Sequence, residues 1–239
     1  MFKWYIIQLP LRLFLAGSVL YLYLFQPQIL IAATEFNPGS KFDPLYILWL
    51  LLMVDMLQRL IPQSPRTLAG KKQFAVYYLP SYVKWEEDQL LAFKQKANKQ
   101  ALIVLLCWLL CHLPLLPLTR LGIIGPPQLI LLSSAYLVAD LLCILFFCPF
   151  QKWFIKCRCC MDCRIFAWDH FFMYTPLLFF KSFYSYSLFF TAMLLFLIWE
   201  VSFFLYPERF WIGSNSALQC AKCKEKLCRI KNKKLYETK

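Results

Sequence analysis

The side chains in this chain most able to do chemistry are its thiols. Of eleven cysteines in 239 residues, eight fall into two groups: Cys148, Cys157, Cys159, Cys160 and Cys163, then Cys220, Cys223 and Cys228. Each group contains a Cys-x-x-Cys step, Cys160 to Cys163 and Cys220 to Cys223, and that spacing lets two thiolates converge on one metal from a tight turn. Two such turns on one face would build a four-thiolate site. Zinc and iron-sulfur centres both take thiolate ligands, and the dense run from Cys157 to Cys163 favours an iron-sulfur cluster that passes electrons to or from a partner. Arg158, Lys222 and Lys224 would offset the cluster's negative charge or dock an acidic carrier. The alternative is zinc, stapling loop to tail as a rigid platform for a partner protein. Redox-active thiols without metal are a further reading, and palmitoylated or chemically unrelated cysteines are the plain one. Cys107, Cys111 and Cys143 lie inside apolar runs, where cysteine acts as a small hydrophobe.

The elements that must position these thiols are set by hydropathy. The chain is 60% hydrophobic, 18% aromatic and only 16% charged, with a mean hydropathy of +0.54. Those figures exclude disorder and an ordinary soluble domain. A crossing needs roughly 20 mostly apolar residues, and six stretches qualify: about 11–33, 44–61, 101–119, 129–148, 165–180 and 187–206. The expected fold is therefore an all-α polytopic bundle of about six transmembrane helices. A membrane domain would cover 1–206, and a basic, cysteine-containing cytoplasmic tail 207–239. The first stretch is too long for a signal-peptide core and reads as an uncleaved anchor. The 165–180 stretch is short and holds Asp169, His170 and Pro176, so both a full and a re-entrant crossing stay open.

Basic residues concentrate on the side where the chain stays during insertion. Seven Lys or Arg lie in 63–100, four in 151–164 and nine from 207 onward, against Lys41, Arg120 and Lys181 in the other connections. Six crossings would put both termini and both cysteine groups in the cytoplasm, in a cell inner (cytoplasmic) membrane. The +13 net charge then belongs to a basic face against anionic lipid headgroups, not to nucleic acid, for which no base-reading motif is present. The cytoplasmic stretch around Trp85–Ala97 has the pattern of an amphipathic helix along the bilayer surface, or of a solvated connector.

Charges inside hydrocarbon need partners or water. Asp55 and Arg59, four apart, can pair along one helix face. Asp140 sits mid-span without a local basic neighbour, and Glu200 lies toward an inner end. Together these groups support a third reading, a small-solute or proton transporter, although no internal repeat accompanies it. Asp169 and His170 follow the cysteine loop closely enough to serve as accessory ligands or proton donors. His112, ahead of Pro114 and Pro117, is expected to satisfy backbone at a kink. No phosphate-binding glycine loop and no hydrolase or metalloprotease motif occurs.

Overall fold

Long runs of Leu, Ile and Phe with few charges leave the backbone one economical way to satisfy its polar groups in hydrocarbon, and the long apolar runs fold as helices. The structure, a computed structural model, describes residues 2–32, 44–63, 68–82, 85–157 and 159–220. Cys223, Cys228, Arg158, Lys222 and Lys224 lie outside them. The helices are α1 (Phe2–Phe25), α2 (Pro27–Ala32), α3 (Pro44–Leu57), α4 (Leu68–Lys71), α5 (Glu87–His112), α6 (Leu115–Arg120), α7 (Pro126–Leu145), α8 (Asp169–Tyr174) and α9 (Phe183–Leu205). Among the described residues there is no β-strand, only an isolated antiparallel bridge between Pro80 and Asn215. The chain is thus all-α.

Among the described residues, four helical segments are long and apolar enough to cross a membrane: Tyr5–Phe25, Glu87–Arg120, Pro126–Leu145 and Phe183–Leu205. The chain is accordingly a multi-pass membrane protein. Two of the six expected spans take other forms. α3 has 14 residues, about 21 Å at the α-helical rise, and continues as a 3-10 turn over Gln58–Leu60. The 165–180 stretch is a broken helix: a 3-10 turn at Phe166–Trp168, then α8, then a 3-10 turn at Thr175–Phe179. Pro176 explains the second break, since it cannot donate to the α-helical ladder. Such irregular backbone is tolerable at depth only when wrapped in protein, and His170 through Leu177 are all buried.

Boundaries follow local chemistry. Glu87 and Asp88 open α5, where the helix dipole favours acidic groups. α5 ends at His112 because Pro114 follows, and α6 resumes beyond it, so the kink expected at His112 is present. Gly122 takes a left-handed φ of +72° in the turn that follows. Pro126 and Pro127 then start α7, where a missing N–H costs nothing, and the Gln128 side chain accepts the Gly125 N–H at 3.0 Å. The expected surface helix near 85–97 is not a separate element. It is the first half of α5, continuous with the span, and its buried residues Ala97, Ala101 and Val104 fall on the same stripe as the apolar half.

The core has two larger parts, with α8 between them, and a small third cluster of Ala69, Met161 and Leu218. Phe171 and Phe172 pack with Trp168, Phe189, Trp199, Phe203 and the α5 stripe. Met173, Tyr174 and Leu177 pack on the other side with Met56, Leu188, Ala192 and Leu195. α1 lies along α7. The first residues after α9 fold back onto the body: Ser81 N–H donates to Ser214 O and Ser216 N–H to Leu79 O, both at 2.8 Å.

Candidate functional site

The thiol loop begins where α7 ends. Cys148 accepts the Gln151 amide at 3.4 Å, one turn of π-helix follows over Phe150–Ile155, and Lys156 then takes a left-handed φ of 51°. A non-glycine residue in that region carries strain of about 1–3 kcal/mol that surrounding structure must hold, and such strain collects at functional sites. The reversal delivers Cys157 back to the loop, where its thiol interacts with that of Cys163. A 3-10 turn over Cys160–Asp162 closes the loop, with the Cys163 amide donating to Cys160 O at 3.3 Å.

Beneath the loop sits a cation that pattern reading of the sequence missed. Lys72 is 2% exposed, and its Nζ donates to Met161 O at 2.8 Å and Cys163 O at 2.9 Å. Trp199 and Phe210 rings lie 5.6 and 5.8 Å from the ammonium. Burial pulls the Lys72 pKa down while Cys163 and Asp162 oppose that shift. Interaction with Cys157 pulls the Cys163 thiol below its ordinary range, with burial opposing and Lys72 assisting. The same interaction, with burial added, pushes the Cys157 thiol up. The two thiols are thus shifted in opposite directions. In a basic block such as Gly70-Lys71-Lys72-Gln73, nothing local distinguishes a buried lysine from a solvated one.

Cys148, Cys160 and Cys163 line a cavity of about 280 Å³, with Asp140 and Asp169 in its wall and aromatic rings on several sides. No protein-family model, curated protein or solved structure matches this chain. The site must therefore be argued from its own geometry.

The second cysteine group is only partly described. Leu218 packs with Met161 and Ala69, and Cys159 lies against the same cluster, so the start of the tail sits on the thiol loop and exposed Cys220 follows two residues later. Among the described residues, no three His, Cys, Asp or Glu side chains form a group that could hold a metal ion, and none of the described cysteines is in a disulfide. Cys223 and Cys228 lie beyond the described chain.

The ionisable residues inside the bundle are paired across helices. Arg59 donates to both carboxylate oxygens of Asp169, Nη1 to Oδ1 at 2.6 Å, so it reaches across to α8 as well as lying one turn from Asp55. Asp55 meets His170 Nε2 at 3.1 Å, while still attracting Arg59. His170 Nδ1 lies 3.3 Å from Asp169 Oδ1, an ion-pair distance without a formed hydrogen bond. Asp140 has a partner after all: Arg12, from α1, donates to its Oδ2 at 2.9 Å and to Leu137 O. Sequence spacing could not show this, because the two are 128 positions apart. Arg164 forks onto Glu200 at 2.8 and 2.6 Å, and Trp168 Nε1 adds a third donor at 2.8 Å. His112 Nδ1 lies 2.8 Å from Trp108 O, an acceptor only, so the proton sits on Nδ1 and Nε2 accepts from Tyr136 at 3.2 Å.

Proposed function

We propose that this multi-pass membrane protein transfers electrons through the Cys157–Cys163 dithiol, in exchange with a partner at the thiol-bearing face. The observation that carries the reading is two cysteines of one loop, Cys157 and the buried Cys163, interacting above a buried Lys72 whose Nζ lies 2.9 Å from Cys163 O, an arrangement that raises thiolate content at one sulfur and keeps a second within reach. Oxidation joins the two sulfurs and releases two electrons and the thiol protons; reduction reverses it. The basic blocks support an orientation with both termini and the thiols in the cytoplasm, where reduced thiol carriers would supply electrons. The test is an equilibration of purified full-length protein in glutathione mixtures of stepped potential, followed by acid quench, alkylation and peptide mass. A Cys157–Cys163 disulfide that appears and disappears at one potential, and is lost in Cys163→Ser but kept in Cys107→Ser, is the expected result. Failure of the pair to interconvert at any potential overturns the reading.

A second reading is favoured by the packing of Leu218 on Met161 beside Cys159, which seats the chain two residues before Cys220 against the loop. There, Cys148, Cys157, Cys159, Cys160 and Cys163 would join Cys220, Cys223 and Cys228 in binding an iron-sulfur cluster or zinc. Iron, zinc and acid-labile sulfide measured per chain after anaerobic purification test it: matched iron and sulfide support a cluster, one zinc supports the stapled platform, and neither overturns it. Transport through Asp140 and Glu200 draws less support, since guanidinium groups occupy both carboxylates.

A further inference from the structure

The cavity behind the thiol loop has features that select its occupant. Its volume of about 280 Å³ lies at the small end for ligand pockets, enough for one substituted ring and too little for a nucleotide or flavin. Its walls are aromatic: Trp108 and Phe172 stack at 4.3 Å and 30°, and Phe150 leans on Phe172 at 5.5 Å. Such faces favour a flat ring in offset or edge contact. Lysine and arginine are absent from the lining, while Asp140 and Asp169 are present, so phosphate-bearing carriers meet carboxylates and no cation. Cys163 forms part of the same wall.

A file of titratable groups also leads away from this cavity. Asp169 is in the wall, His170 lies between Asp169 and Asp55 at 3.3 and 3.1 Å, and the Asp55 side chain is 37% exposed. Arg59 fixes Asp169 and Arg12 fixes Asp140, which leaves the imidazole as the group that can take and release a proton between two carboxylates.

We infer that the cavity binds the ring of a quinone-class carrier and that Cys163 delivers the dithiol's electron pair to it, an inference that rests on the dithiol reading above. The reaction balances as Cys163 thiolate, Cys157 thiol, one proton and quinone giving a Cys157–Cys163 disulfide and quinol. The S–H bond of Cys157 breaks, an S–S bond forms, the sulfur electron pair reduces the ring, and two O–H bonds form on it. One proton comes from Cys157, and the other enters by way of Asp55 and His170.

The experiment uses reduced full-length protein in detergent, freed of reductant, with decylubiquinone in one arm and oxidised glutathione in the other. Quinone absorbance and the mass of the 157–163 peptide are followed. One quinol and one disulfide per chain is the expected result, with Ala139→Leu, which fills the cavity, abolishing oxidation by the quinone but not by glutathione. His170→Gln should slow quinol formation by at least about tenfold, the low end for a lost proton-transfer group, and leave the glutathione arm unchanged. Disulfide formation with glutathione but not with the quinone overturns the cavity assignment and leaves the dithiol reading standing; failure of both arms overturns the dithiol reading itself. Should Ala139→Leu not fold, decylubiquinol, which cannot oxidise thiols, must protect wild-type Cys163 from alkylation. Absence of protection overturns the proposal.

Discussion

Cys163 and Arg164 are adjacent in the chain, and both side chains lie out of water, yet they are served in opposite ways. Arg164 is clamped at its fork, with only Nε left without a hydrogen bond: its two terminal nitrogens meet both oxygens of Glu200, Trp168 adds a donor to the same carboxylate, and its guanidinium carbon lies 3.6 Å from the centre of the Phe203 ring. Nothing in that arrangement changes without breaking the pair, so it holds structure. Cys163 instead interacts with another thiol and with the field of Lys72, whose own bonds go to backbone carbonyls. That arrangement stabilises a charge only when the thiol ionises. The difference separates a clamp from a reactive group one residue apart.

Arg164→Ala breaks the comparison most severely. It strands Glu200 beside buried aromatic rings, and losing one partner of a largely buried pair costs about 3 kcal/mol or more. Thermal unfolding in detergent should show a large drop in Tm, whereas an unchanged Tm would mean the clamp is ornamental. Next comes the Arg12–Asp140 pair, which ties the lipid-exposed α1 to α7. Arg12→Leu alone should cost about 2–3 kcal/mol, and Arg12→Leu with Asp140→Leu should recover most of it, since a well-packed apolar pair replaces a buried ion pair at little net cost. Absence of recovery would give that carboxylate a role beyond pairing.

Lys72→Met sharpens the other side of the comparison. Cys163 is depressed, so in the native protein its alkylation stays fast as pH falls below the ordinary thiol range, about 8.5, and slows only once its own pKa is passed. Removing the ammonium should move that profile to higher pH and slow alkylation at neutral pH by about tenfold, which equals about 1.4 kcal/mol. An unmoved profile would show that Cys157 alone sets the shift. The smallest effect is expected at Gly213, where an added Cβ would lie 2.5 Å from the Trp211 ring. Trp211 stacks on Phe93 at 5.9 Å, so Gly213→Ala should cost about 1 kcal/mol through displaced packing and loosen the seat of residues 207–220. Proteolysis of the tail measures that directly.

Much of this was legible from residue patterns. Apolar runs marked the helices at α1, α5, α7 and α9, Pro114 marked the kink, and the Cys157–Cys163 cluster marked the loop. The interruption of the 165–180 stretch by Asp169, His170 and Pro176 signalled an atypical crossing. What it did not reveal was that these charges face inward to Asp55 on α3 and to Arg59 in the 3-10 turn that follows it. An isolated apolar run carries no information about which of its faces another helix will cover.

Composition and hydropathy by themselves determined that this chain enters a bilayer as helices, because backbone polar groups in hydrocarbon have so few other solutions. Spacing determined that thiols gather at one loop, since Cys-x-x-Cys steps are local. Tertiary structure alone decided which charges neutralise one another: Arg12 with Asp140, Arg59 with Asp169, Arg164 with Glu200. It alone put Lys72 beneath Cys163 and a ring-sized cavity behind it. Electrostatic partnership depends on distance and on exclusion of water, and both are properties of packed helices that no residue carries in its neighbours along the chain.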